Sequence, residues 1–433
     1  MTTMAEPAAG GAARQAAGLP RLLPTAPGQD LRAHLARHGP VPYRGGAGLL
    51  IPDVRAAGLT GRGGAAFPTH RKLAIVAAAR GRKVVVGNGA ESEPASRKDA
   101  VLLRDAPHLV LDGLQLAAEA AGAAEAVLYL HRGEHRALLR ALAERHAAGV
   151  DRLPVAVAEA PPRFLAGQET ALVSRIGGGP ALPTFGLPRV SQRGVAGAPT
   201  CVQNVETLAH LALIARYGPR WFRAAGTAAE PGTMLTTTYE AAADGETRCL
   251  VAEAPIGTPL ADLLPGLAGA QALLVGGFHG TWLPAHRAAA LTLDNETLGR
   301  HGAALGAGVL AALPDDRCGL TEAARVTWYL AAESAGQCGP CLNGLPRIAA
   351  AMAELAGPRP RGNTRRDAER WAGLVTGRGA CHHPDGTARF VRSALVTFGP
   401  ELSRHSRGQC SARGRRPFLP LPDGVPTTDD DWM

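Results

Sequence analysis

Hydrophobic positions along the chain alternate between short β-branched runs and longer stretches at helical spacing. Residues 83–88 are a valine run ending in turn residues, which predicts a buried strand feeding a loop. Residues 108–121 carry leucines at helical spacing and predict a helix. A second strand follows at 126–130, a second helix at 135–148 and a third strand at 153–157. This alternation predicts a parallel α/β layer from about Val54 into the early 200s. After a helix around 204–217 the pattern changes. Strand-like runs at 233–238, 249–252, 273–277 and 281–284, with a short helix near 257–263, predict a small α+β module. From Thr321 the chain is helical, over 321–334, 345–355, 367–375 and 387–398, which predicts a C-terminal bundle.

Composition narrows the class. The chain has 433 residues and is 46% hydrophobic but only 4% aromatic, so its cores are built from Ala, Leu and Val. No segment reaches the roughly 18 unbroken apolar residues of a membrane helix. The Ala/Gly-rich stretch Met1 to Ala17 lacks the basic start and apolar run of a signal peptide, and a cytoplasmic protein is expected. Seven cysteines, an odd number, argue against a disulfide framework and for metal or redox use of some of them. The net charge of +9 raises nucleic-acid binding. The densest basic stretches, 359–370 and 404–416, lack aromatics for base stacking, so nucleic acid is set aside. An electrostatic surface for an acidic redox partner suits the charge better.

The chemistry starts at Gly58–Thr69, where Gly61, Arg62, Gly63 and Gly64 precede Phe67. Glycines let backbone N–H groups approach a phosphate, and arginine adds a charged fork. With 54 glycines in the chain, a plain glycine-rich turn is the competing reading. Lysine usage weighs against it. Arginine has replaced lysine nearly everywhere, yet Lys72, Lys83 and Lys98, the only three, all lie between this loop and Asp99.

Five ordered motifs now carry a resemblance. GRGGAAFPT (61–69) with Lys72, then NGAESEP (88–94) and KD (98–99), resemble GRGGAGFPTG, NADEGEP and KD of one family, that of the NADH- and flavin-binding 51-kDa subunit of respiratory NADH dehydrogenase. AGQETAL (166–172), PTCVQNVET (199–207) and ESAGQCGPC (333–341) are similar to the family's CGEETAL, PTVVNNVET and ESCGQCTPC. The resemblance implies an α/β fold: a parallel-sheet FMN/NADH-binding domain (41–235), a soluble-ligand-binding β-grasp module (236–300) and a helical iron–sulfur-binding bundle (301–400). An extension (1–40) and a tail (401–433) are expected to be disordered.

The resemblance also implies site residues. Gly61, Arg62, Gly63, Gly64 and Lys72 would hold the FMN phosphate and its surroundings. Asn88 would bond the ring or ribityl chain. Glu91 and Glu93 would act catalytically at the face where nicotinamide stacks. Gly167 would allow close backbone approach, and Gln203, Asn204 and Thr207 would supply polar contacts. Phe67 is the retained adenine ring, whereas the other two ring positions fall on Ile75 and Arg189. Gln168 and Glu169 replace the acidic pair at the ribose, so NADPH is expected to be tolerated beside NADH. Ala90 stands where the family has aspartate.

The family's iron–sulfur cluster, [4Fe–4S], uses four thiolates. Cys338 and Cys341 take the second and third places, and Cys381, forty residues on, the fourth. Ala335 takes the first and cannot ligate, so the expectation is either an incomplete, [3Fe–4S] cluster or a [4Fe–4S] cube whose fourth iron takes water or a foreign ligand. Zinc fits the C-x2-C…C-H pattern on spacing alone. His382 and His383 adjoin Cys381 but are poorly placed to replace residue 335. Cys201, Cys249, Cys318 and Cys410 read as buried or incidental. The expected activity is NAD(P)H oxidation through flavin to a cluster or a separate partner, such as a ferredoxin, a [2Fe–2S] subunit or a quinone-linked complex. The alternative is a degenerate paralogue, a flavin-binding scaffold without turnover.

Overall fold

The structure is a computed structural model that describes residues 20–24, 28–45, 47–133, 135–242, 244–414, 416–422 and 432–433. Four strands form a parallel sheet: β1 (Val84–Asn88), β2 (Glu125–His131), β3 (Val155–Ala160) and β4 (Thr200–Asn204). Their order is β3-β2-β1-β4. The valine run of β1 is fully buried, as a central parallel strand covered on both faces must be. From β1 the chain winds outward to β2 and β3, then returns to β4 on the other side. The direction reversal lies between β1 and β4, where open α/β sheets form a crevice beyond the strands' carboxyl ends. Register places Asn88 opposite Asn204 at that edge.

The helices Pro107–Ala121 and Val205–Arg223 pack together against this sheet. The first has proline at its start, a left-handed Gly122 at its end and apolar residues nearly all round, so it is almost wholly buried. The second loses helical geometry at Gly218, just before Pro219. Its expected end near Tyr217 therefore matches the regular part.

Five further strands form a mixed sheet: β5 (Thr233–Ala241), β6 (Thr247–Pro255), β7 (Ala270–Val275), β8 (Thr281–Pro284) and β9 (Val309–Pro314), in the order β6-β5-β9-β7-β8. Only β5 and β9 run parallel. Both faces are covered. Ala272, Leu274, Val309 and Ala311 pack toward the C-terminal helices, while Leu273, Val275, Leu310 and Ala312 pack under short helices on the other face. The C-terminal helices are Gly319–Ala332, Leu345–Ala356, Thr364–Val375, His383–Thr397 and Gly399–His405.

Three range expectations need correction. Within 1–40, residues 1–19 lie outside the described residues, but Leu31–His38 is helical. Asp30 caps it, and His34 on it bonds buried Asp112 at 2.8 Å, which anchors it to the core. β5 starts at Thr233, before the expected module, and β9 closes that sheet from inside the range expected for the bundle. Within 401–433, the helix Gly399–His405 and buried Phe418 and Leu419 replace expected disorder, while 423–431 lie outside the described residues.

Candidate functional site

The glycine loop closes on itself above the β1/β4 edge. Gly61 N donates to Phe67 O at 2.9 Å, and Thr69 N to Leu59 O at 3.0 Å. The turn leaves Gly63, Gly64, Ala65 and Ala66 exposed. A Cβ built on Gly63 would lie 3.4 Å from Asn204 Cβ, so the loop sits directly over the end of β4. Phe67 is partly buried at the loop's end, and Lys72 follows on the helix Thr69–Ala78. The Lys72 ammonium donates to Glu169 at 2.9 Å and to Val202 O at 3.1 Å. An ammonium has three donors, so one remains for an anion.

Arg62 corrects the expectation of a phosphate fork. Its guanidinium is buried and turned inward, donating to Thr60 Oγ1 and Thr233 O. Its backbone N–H donates to Thr207 Oγ1 at 2.9 Å. Arg62 and Thr207 therefore fix the loop to the helix Val205–Arg223 rather than face a ligand.

Asn88 Nδ2 donates to Gly167 O at 2.9 Å, and Gly167 N donates to Ser92 Oγ at 3.1 Å. A side chain at residue 167 would meet Ala90 O at 2.8 Å, so only glycine fits this close approach. Gln168 caps the next helix, its Oε1 accepting from Thr170 N and Ala171 N. Replacing glutamate by glutamine there keeps the cap and drops the charge. Gln203 is buried, with its amide on Cys201 Sγ. Asn204 caps the helix Val205–Arg223 and donates to Asp99 at 2.6 Å.

Sequence reading did not assign Lys98, Asp99 and Glu206 to the site. Buried Lys98 bonds Asp99 at 2.7 Å and Glu206 at 2.9 Å. Burial alone would raise the Glu206 carboxyl, but Lys98, His210 and Arg62 hold it down to about 2. Burial pushes the Asp99 carboxyl up despite Lys98. This knot underlies Asn204, and the KD and NVET motifs were its sequence signal.

The two glutamates expected to be catalytic are both engaged. Glu91 accepts from Asp99 N at 3.0 Å and Ala100 N at 3.1 Å, so it caps the helix Lys98–Asp105. Glu93 accepts from Phe278 N at 2.8 Å and Ala95 N at 3.2 Å, which ties the parallel-sheet edge to the β7–β8 turn. Gly277 in that turn has φ of 91° and no room for a side chain beside Glu93. Burial pushes the Glu93 carboxyl up to about 8, against the two N–H donors. Ile75 and Arg189 are exposed. Phe185, which sequence reading passed over, is 71% exposed on a loop held to Thr170, two residues from Gln168.

The cysteine region lies on the C-terminal helices. Cys341 is buried at the start of an irregular turn (Pro340–Gly344), while Cys338 and Cys381 are partly exposed. Burial pushes the Cys341 thiol up to about 12, with Cys338 and Cys381 adding to the rise, although the three sulfurs do not all lie within 4.8 Å of one another. Ala335 offers no ligand atom. Neither neighbouring histidine replaces it: His382 points to solvent beside Asp385, and His383 is buried between Leu330 O and His279. Buried Glu333, just before this loop, pairs with Arg163 at 3.0 Å and accepts from Phe164 N. It binds the cysteine loop to the segment that leads to Gly167.

A glycine loop, a lysine and two asparagines at the switch point of a parallel sheet, followed by a cysteine-bearing helical region, define a cofactor-binding redox protein. Residues 54–213 match the Nuo51 FMN-binding domain, and residues 321–405 match the NADH-ubiquinone oxidoreductase-F iron–sulfur binding region. The chain is 30% identical to the F subunit of NADH-quinone oxidoreductase from Streptomyces coelicolor, over 83% of each chain. It is 31% identical to the Mycobacterium bovis counterpart, over 86% of each. Its fold is similar to NAD+-reducing [NiFe]-hydrogenase in the H2-reduced state, with a TM-score of 0.76 and 27% identity, covering 89% of this chain and 66% of that one. The chain belongs to the family of the NADH-quinone oxidoreductase F subunit, an oxidoreductase family with an FMN-binding domain and a 4Fe–4S binding region. Among the described residues no helix is long and apolar enough to cross a membrane.

Proposed function

We propose that this chain oxidises NADH through FMN held at the carboxyl edge of β1 and β4 and delivers the electrons to a partner protein. The observation that carries the reading is the pairing of Asn88 with Asn204 beneath the exposed loop Gly63–Ala66, beside Lys72. That donor set fits a phosphorylated flavin: glycine amides and one free ammonium donor for the anion, and amides for the polar chain. FMN held by these residues would supply hydride acceptance and one-electron release. The residues' work is positional. Gly167 lets the backbone approach, Gln168 and Glu169 face the ribose, and Phe67 with Phe185 offers aromatic faces to adenine. With one carboxylate fewer at the ribose, NADPH is tolerated alongside NADH. Glu93 holds a proton near neutral pH at the seam between the sheets and keeps that edge in register.

Cys338, Cys341 and Cys381 would hold an iron–sulfur cluster, with one place lacking a protein ligand at Ala335. The strand order β6-β5-β9-β7-β8 suits a β-grasp module linking the flavin domain to the helical region. The acceptor is a separate soluble redox protein of the ferredoxin or [2Fe–2S] class, and the setting is cytoplasmic. The test is anaerobic titration of the FMN-loaded protein with NADH. Loss of the flavin absorption band at one NADH per flavin supports the reading. A bound flavin that NADH leaves oxidised overturns it and favours a flavin-binding scaffold without turnover.

A further inference from the structure

A second group of potential ligands lies apart from the three-thiol loop. Cys318, Glu401, His405 and Cys410 bring one ligand atom each to within 4.8 Å of one another. They come from three places in the chain. Cys318 follows β9 and starts the helix Gly319–Ala332, Glu401 and His405 lie one turn apart on Gly399–His405, and Cys410 is on the returning segment. The first three are buried and Cys410 is exposed.

The hydrogen bonds orient the donors inward. His405 Nδ1 lies 3.0 Å from Leu355 O, and a carbonyl can only accept, so the Nδ1 proton is fixed there. The other ring nitrogen, Nε2, lies 3.3 Å from Glu401 Oε1 and 3.5 Å from Cys318 Sγ. Two other ligand atoms of the group therefore lie against this nitrogen, an arrangement that a metal ion would hold in place of a proton. A backbone carbonyl on the far ring nitrogen is also the usual outer partner of a metal-bound histidine. Glu401 accepts from Ser411 N and Ser411 Oγ, and each carboxylate oxygen keeps a second lone pair. Thr321 N donates to Cys318 Sγ. Cys410 lies within side-chain hydrogen-bonding reach of both Cys318 and Glu401.

We propose that Cys318, Glu401, His405 and Cys410 bind one zinc ion. Two sulfurs, one imidazole and one carboxylate are a zinc donor set, whereas magnesium and calcium call for oxygen alone. A tetrahedral zinc site places its ligand atoms roughly 3.3–3.8 Å apart, so a small contraction completes it. The ion pins the segment after His405 across the junction of the mixed sheet and the helices. There Arg413 N and Gly414 N donate to Asp316 O, and Leu419 N to Glu322.

The test is elemental analysis of the full chain after anaerobic purification and dialysis, followed by competition for added zinc with a chromogenic chelator. About one zinc per chain is expected, retained when Cys338 and Cys341 are both changed to serine. Cys410→Ser, at an exposed position that leaves packing intact, should weaken zinc by roughly 100-fold or more, beyond the loss of an outer partner. Stripping zinc should also speed proteolysis after residue 405. A zinc affinity that Cys410→Ser leaves unchanged in the chelator competition overturns the proposal. So does iron in place of zinc at these residues, or a zinc-free protein whose mass shows a Cys318–Cys410 disulfide.

Discussion

At the carboxyl edge of the parallel sheet, Ala90 and Gln203 stand where the family motifs have aspartate and asparagine. The crevice nonetheless keeps its glycine loop, its lysine and its paired asparagines. At the cysteine loop Ala335 stands where the family motif has a cysteine, and neither neighbouring histidine is placed to substitute for it. Backbone amides survive side-chain substitution because every residue but proline supplies one. A metal cluster has no such redundancy, since each iron needs its own donor. On this reading the proposed flavin region is expected to withstand sequence change and the proposed cluster region is not.

Two lysines sharpen that contrast within the flavin region itself. Lys98 is buried and holds two carboxylates, so Lys98→Ala should cost about 3–5 kcal/mol of stability, measured by urea unfolding. Lys72 is partly exposed and paired once, so Lys72→Ala should leave unfolding nearly unchanged. It should instead weaken FMN retention by about 1–3 kcal/mol, read by equilibrium dialysis. Equal effects on both readouts would erase the distinction between support and contact.

Glu93 offers a pH-dependent break. Its folded carboxyl sits at about 8 against an ordinary 4.5, so it favours the folded state most fully below 4.5. As pH rises through 8 that contribution is lost, because the unfolded chain ionises first. Wild-type stability should fall by roughly 1–2 kcal/mol across this window, allowing for hydration at a partly exposed residue. Glu93→Gln should flatten the slope. A slope unchanged in the variant would place the titration elsewhere.

The smallest effect belongs to the loop. Ala66 holds a left-handed φ of 49° where the family has glycine. Ala66→Gly should stabilise the protein by about 0.5–1 kcal/mol, measured by thermal unfolding, because the Cβ strain outweighs the added freedom of the unfolded chain. Destabilisation would mean the loop takes another conformation.

Much of the fold was legible from periodicity. The valine run of β1 and the helices after it are local patterns with local causes. β9 escaped notice because the short Val-Leu-Ala-Ala-Leu-Pro run becomes a strand only between β5 and β7. In the site, the loop, Lys72 and the asparagines were readable as motifs. The inward turn of Arg62 was not, since its partners Thr233 and Glu206 are distant in sequence. Cys318 and Cys410 read as incidental for the same reason: they lie ninety-two positions apart, and only the return of the tail brings them together.

The contrast between the two cofactor regions meets its most direct test in the cofactor content of wild type and Ala335→Cys, both reconstituted without oxygen. Flavin, iron and sulfide are assayed before and after exposure to air, with electron paramagnetic resonance on the same samples. Equal FMN is expected in both proteins, with iron lost from wild type in air and a full, air-stable four-iron complement in Ala335→Cys. A wild-type cluster that keeps four irons in air would contradict this expectation, because another residue would then complete the site.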